Sequence, residues 1–270
     1  FIKAKLTDDI MLNYSGGRAN QWTPIGSEEH PFKGEFDGGG HYISGVYIST
    51  AREYSGLFGY VYTQMPVVDD EDDTTEEIFT ANPPVMIHDL TVRDASIAGL
   101  DNTGGIAGYI HYGIIKECSF SGTVTATGNS VGGICGYAFN FSRITQCSSS
   151  GSVTGNIRTG GIVGYAYANA QIAECYSTCA VRSNANVNGN SGGIIGAFSY
   201  STLKGCYFMG SITGPKNIGG VIGYNSYSTI TSCYVIGGIS STIGNADTVH
   251  AIAGYTLGGQ YYNCYYCPDS

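Results

Sequence analysis

Residues 132–137 read Gly-Gly-Ile-Cys-Gly-Tyr, and the pattern returns as GGIAGY at 104–109, GGIVGY at 160–165, GGIIGA at 192–197 and GGVIGY at 219–224. Aligned on the last glycine, the copies stand at Gly108, Gly136, Gly164, Gly196 and Gly223, with steps of 28, 28, 32 and 27 residues. Weaker copies, SGLFGY and HAIAGY, bring Gly59 and Gly254 into the series. A second column keeps the same step: Cys118, Cys147, Cys175, Cys206, Cys233 and Cys264, with Leu90 in the slot before them. A third follows at Val124, Val153, Val181, Ile212 and Ile239.

Between these columns the apolar residues come in short runs broken by Gly, Ser, Asn and Thr, without helical spacing, so the unit reads as short strands and turns. A unit of about 28 residues cannot bury its own apolar face and must stack on copies of itself. In a parallel stack, equivalent residues of successive coils sit about 4.8 Å apart, and each sequence column becomes a physical ladder. Leu57, Ile106, Ile134, Ile162, Ile194, Val221 and Ile252 form a wholly aliphatic ladder. With the cysteine and valine columns, that gives three inward ladders and a three-sided coil. The expected fold is all-β, a parallel β-helix or β-solenoid of seven to eight coils. The glycines fit corners that need either positive φ or close backbone approach. Charged residues make up only 12% of the chain against 42% hydrophobic residues, and there are 41 glycines, which suits an ordered, weakly charged β protein.

The opening sixty residues carry AKLTDDIML, WTPIG at Trp22, PFKGEFDGGGHYISGVYI from Pro31 to Ile48, and SGLFGY. With the repeated GGIxGY, this order resembles the GLUG-motif family of bacterial surface and secreted proteins. The resemblance covers nearly the whole chain. It implies a right-handed helix and an extracellular setting, secreted or anchored to the cell surface through a parent chain, often with adhesin-like roles. It brings no shared catalytic residue. The many cysteines and an acidic insertion depart from the pattern. Residues 1–55 read as a first coil and cap, and 56–270 as GLUG-type repeats with the insertion at 66–84, in one continuous domain. A start at Phe1 and an end at CYYCPDS suggest a piece of something longer.

The net charge of -9 comes mostly from one run, Asp69 to Glu77, with seven acids; without it 14 acids face 12 bases. The run reads as a solvated loop and lacks the spaced carboxylates of a calcium loop. No basic cluster points to nucleic acid, and no run of 18 apolar residues points to a membrane span. The ladder cysteines read as reduced core residues with parallel Cβ vectors. The local couples Cys175 with Cys179 and Cys264 with Cys267 lack a nearby histidine for zinc. No metal or cofactor site is expected, and the five histidines read as surface or turn residues.

An enzyme would need placed carboxylates. The residue before the cysteine column reads Asp89, Glu117, Gln146, Glu174, Gly205, Ser232 and Asn263, and should face outward. Asp89 and Glu117 would then stand one coil apart, near the spacing of a retaining glycosidase. The rest of that column is what a solvent face carries, and His88, Lys116 and Arg93 can neutralise both acids, so no catalytic residue is assigned. The 22 tyrosines are more suggestive. Tyr60, Tyr109, Tyr137, Tyr165, Tyr224 and Tyr255 end the glycine motif, and Tyr112, Phe141, Tyr167, Tyr200 and Tyr227 follow in the turn. If Ile134 and Gly136 point inward, Cys135 and Tyr137 point out. Outward rings can stack on one another or contact sugars and proteins. The candidate ligand residues are Tyr109, Tyr112, Tyr137, Tyr165, Tyr167, Tyr224 and Tyr227. The expected partner is a host or microbial glycan or a host surface protein. A polysaccharide-active enzyme and a passive spacer are the competing readings.

Overall fold

The computed structural model describes residues 2–13, 20–49, 52–65, 83–185, 188–244 and 249–267. The acidic run Asp69 to Glu77 lies outside the described residues. Within them the chain is all β, and every strand pairing is parallel. Seven strands, from Phe58–Tyr62 to Ala253–Leu257, stack in one sheet that carries the end of the glycine motif. Ile25 bridges to Phe58 one layer earlier, which makes about eight turns of a β-solenoid. Six short strands, from Thr103–Gly104 to Val249–His250, form a second sheet. The remaining strands form a long bent sheet, in which Ile2–Lys5, Gly34–Asp37, Val85–Gly99 and Gly113–Ala126 lie side by side.

The phase of the long strands explains why an apolar residue and a cysteine three positions apart both point inward. In Val85–Gly99 the buried residues are Val85 and Ile87, then Leu90 and Val92, then Ala95 and Ile97. Alternation slips by one at Asp89 and at Asp94, and both residues are left-handed, with φ of 52°. Each bends the strand around a corner and resets which face is inside. The same φ recurs at Glu117, Gln146, Glu174, Ser232 and Asn263, and Gly205 stands in the column at φ 64°. Its mixture of Asp, Asn and Gly reflects the residues that tolerate this conformation best. This column is therefore a structural corner as well as a solvent face.

The motif glycines take the other route. None of Gly132, Gly133 or Gly136 has positive φ; a side chain on Gly133 would overlap the Gly161 carbonyl and the Ser149 side chain. Close approach of coil to coil is what the repeat enforces. Leu57, Ile106, Ile134, Ile162, Ile194 and Val221 are fully buried, and Ile252 is half-buried in the last coil. The cysteine and valine ladders line the same core, with Cys264 and Ile239 partly open near the end. Each fully buried aliphatic rung contributes roughly 1.5–3 kcal/mol.

One expectation fails. Cys135 points inward and is 0% exposed, while Tyr137 is half-exposed. The amides of Ile134 and Cys135 both donate to the Ile162 carbonyl, at 2.9 and 3.0 Å, where the chain turns from Val131–Gly132 in the second sheet into Cys135–Phe139 in the motif sheet. That corner breaks the period of two, while the register of Cys135 with Val163 and Tyr137 with Tyr165 stays one to one. It recurs at Ile106 and Ala107, Ile162 and Val163, Ile194 and Ile195, and Val221 and Ile222.

Candidate functional site

Beyond that corner, the motif sheet turns two residues per strand outward, and parallel register lines them up. One column runs Tyr60, Tyr109, Tyr137, Tyr165, Ala197, Tyr224 and Tyr255. The other runs Tyr62, His111, Phe139, Tyr167, Ser199, Ser226 and Leu257. Ring centroids lie 4.6 Å apart at Tyr60 and Tyr109, 5.4 Å at Tyr109 and Tyr137, and 4.9 Å at Tyr137 and Tyr165. Tyr62 stacks on His111 at 4.6 Å, and Phe139 on Tyr167 at 5.7 Å. The result is an aromatic surface two rings wide and four coils long. Burial pushes the Tyr137 phenol up to about 12, and Tyr109 further still, with neighbouring tyrosines adding to both. Their hydroxyls are therefore neutral donors at any physiological pH.

The turn beyond this sheet holds Tyr112, Phe141, Tyr200 and Tyr227, all left-handed, with φ between 47° and 58°. For a bulky side chain this conformation costs about 1–3 kcal/mol. Tyr200 and Tyr227 stack at 5.5 Å and are 52% and 54% exposed. Tyr167 does not belong to this turn: it ends the strand Val163–Tyr167, and the left-handed positions of its coil are Ala168 and Asn169. Of the candidate residues, the structure brings Tyr109, Tyr137, Tyr165 and Tyr167 into one surface. Tyr224 continues it past Ala197, and Tyr112 and Tyr227 border it. His111, read as a surface or turn residue, is buried within the ring surface.

A further ladder escaped the sequence reading. The residue after the cysteine becomes Tyr176, Tyr207, Tyr234 and Tyr265 in the later coils, after Ser119 and Ser148 in the earlier ones. Tyr176, Tyr207 and Tyr234 stack at 4.9 and 5.0 Å with planes within 5° of parallel, on the long sheet. In so flat a stack the middle ring, Tyr207, has both faces covered and presents only its edge. The signal was visible as Cys-Tyr recurring in four coils.

Asp89 and Glu117 do come together. They occupy the same corner of adjacent coils, between the register pairs His88 with Lys116 and Leu90 with Cys118, and the His88 hydrogen bond holds the Asp89 carboxyl below the usual range although burial works against it. His88 Nδ1 is 2.7 Å from Asp89 and its Nε2 3.5 Å from Glu35, while Lys116 lies 3.2 Å from Glu117. Asp37, His88 and Asp89 have ligand atoms close enough to share a cation, but Asp37 already meets Lys5 at 2.7 Å. The core thiols of Cys118, Cys147, Cys175, Cys206 and Cys233 form no disulfide, and burial pushes the Cys147 and Cys206 thiols up, so those two stay protonated.

The GLUG motif matches at residues 99–125, 127–154 and 214–242, three of the coils just described. The chain carries the GLUG motif. Among solved structures, a Bacteroides ovatus protein provisionally named an immunoglobulin A1 protease superposes with a TM-score of 0.71 at 20% identity. The alignment spans 99% of this chain and 78% of that one, and at that identity the likeness is one of fold. No curated protein matches the chain by sequence. No helix among the described residues is long and apolar enough to cross a membrane. The GLUG repeats thus set the corner and the core rung of each coil, and leave the outward tyrosine and its neighbour two residues on to vary.

Proposed function

We propose that the chain is a non-enzymatic, extracellular, adhesin-like module that binds carbohydrate through the aromatic surface of its motif sheet. The observation that supports this most is the continuity of that surface: rings fill both outward columns through four coils, all of them tyrosines except His111 and Phe139. A passive spacer has no use for tyrosines in strained left-handed turns that leave half of each ring in solvent. A glycan chain lying along the axis would meet a ring or a hydroxyl at each coil. The test is binding to an array of host and microbial glycans. Selective capture of a related set of glycans is expected, unchanged in Asp89→Asn with Glu117→Gln; no capture across the array contradicts the reading.

The enzymatic reading has one point in its favour, the meeting of Asp89 and Glu117. Lys116 and His88 already compensate their charge, and both acids occupy the left-handed corner of their coils. The arrangement fits a corner ion network better than an acid and a nucleophile. At 20% identity the Bacteroides ovatus structure supplies no residue from which a protease reading could be built.

A further inference from the structure

The outward tyrosine column has a single break in its middle. Ring contacts run from Tyr60 to Tyr165 and resume at Tyr224 and Tyr255, 5.4 Å apart, and the coil between carries Ala197. Ala197 is nonetheless only 2% exposed. Over the neighbouring Tyr165 ring lies the Arg158 guanidinium, whose carbon is 4.4 Å from the ring centroid. Tyr137 stacks on one face of Tyr165 at 4.9 Å, so the guanidinium takes the other, on the side of the coil that lacks a ring. A planar cation thus stands in the ladder where an aromatic ring would.

That cation has no acid. The ion pairs among the described residues join other groups, and Arg158 enters none of them. The contrast is Arg93, which also lies over a ring, Tyr42 at 3.3 Å, but has Asp94 at 3.8 Å. Arg158 is half-buried, and in register beside it stands Asn190, which accepts a hydrogen bond from the Asn217 amide at 2.8 Å. The site offers one fork of charged donors, an adjoining row of amides, and the edges of tyrosine rings. A guanidinium fork matches a carboxylate in two parallel hydrogen bonds. The amides and phenols match hydroxyls.

We infer that Arg158, Tyr165 and Asn190 form a subsite for a sugar residue that bears a carboxylate, a uronate or a sialate. The inference rests on the carbohydrate reading above and deepens it. A single cation among neutral donors suits a ring with one charge and many hydroxyls. An acidic peptide with several carboxylates would meet repulsion from a chain of net charge -9.

The experiment is calorimetric titration of the chain with oligosaccharides carrying one uronate or sialate, each paired with its methyl ester, at about 0.15 M salt. The wild type should prefer the acid by about tenfold, the range of a charge-assisted hydrogen bond. Arg158→Gln should abolish the preference by bringing affinity for the acid down to that for its ester, with thermal melting as the check on folding. Arg158→Lys, which keeps the charge and loses the fork, should restore only part of it. Equal affinity of the wild type for acid and ester, or a preference that survives in folded Arg158→Gln, overturns the subsite and leaves the carbohydrate reading standing. Failure of every oligosaccharide to bind overturns both. Tighter binding of a polyglutamate peptide than of any acid sugar overturns the subsite in favour of an acidic protein partner.

Discussion

At Gly161 a β-carbon would overlap the Gly193 carbonyl oxygen and the Ser177 hydroxyl, whereas at Gly238 it would meet nothing within 4 Å. The two glycines look alike in sequence and differ in what the next coil brings against them. Gly161→Ala should destabilise the protein by about 3 kcal/mol through overpacking. Gly238→Ala should be neutral or stabilise by up to ~1 kcal/mol, since it only restricts the unfolded chain. Urea unfolding of the two variants measures this, and equal midpoints would contradict the close-approach account of the repeat. At this scale the sequence left two explanations of the glycines open, positive φ or close approach. The structure divides them by column: the motif glycines are crowded, and the left-handed corner falls on Asp89, Glu117, Gln146 and their equivalents. The burial of Cys135 was illegible because it depends on two amides sharing the Ile162 carbonyl, which no alternation rule contains.

The first coils are joined by an element of a different kind, a ladder of charges on the long sheet. Parallel register sets Lys5 beside Asp37, Asp37 beside His88, and His88 beside Lys116, and it sets Lys3 beside Glu35. Lys5 meets Asp37 at 2.7 Å and Lys3 meets Glu35 at 2.8 Å. Burial disfavours the charge on His88, but its hydrogen bond to Asp89 and the nearby carboxylates of Glu35 and Asp37 outweigh it and raise its pKa. Folding therefore favours the protonated imidazole. Its contribution is present below the ordinary histidine value of about 6.5 and is lost as pH rises through the raised folded value. Glu35, Asp37 and Asp89 are held below their ordinary values, chiefly by Lys3, Lys5 and His88 respectively. Their contribution is present above about pH 4.3 and lost as pH falls through the lowered values. The melting temperature should thus peak between about pH 4.3 and 6.5. His88→Gln should lower it within that window and converge with the wild type toward alkaline pH; parallel curves for the two proteins would contradict this. The first rungs of the ladder were not readable beforehand because their partners lie 32 and 51 residues apart, off the period of 28 that only His88 and Lys116 keep.

Over the whole molecule, the three inward columns were legible because a solenoid turns sequence period directly into contact. Ile106, Ile134 and Ile162 recur at a constant step, and the structure stacks them in that order. The outward columns were legible only in part. Tyr109, Tyr137 and Tyr165 repeat with the motif and were found, whereas Tyr167 and His111 joined their surface through register alone. Arg158 could not be assigned, since its place in the ladder depends on the missing ring at Ala197 as much as on its own position. Two tyrosine ladders result, on different sheets, and only their geometry separates them. The later one is a flat stack with covered ring faces; the earlier one mixes stacked and edge contacts across two columns.

The most direct measurement compares these two ladders in one binding assay, using the glycan that the array selects. Tyr137→Ala with Tyr165→Ala removes rings from the motif sheet, and Tyr207→Ala with Tyr234→Ala removes as many from the long sheet, with melting curves to confirm that both variants fold. The account predicts that the first variant loses at least about tenfold in affinity, or 1.4 kcal/mol, while the second stays within about twofold of the wild type. Equal losses, or a loss confined to the long-sheet variant, would contradict the assignment of the motif sheet as the binding surface.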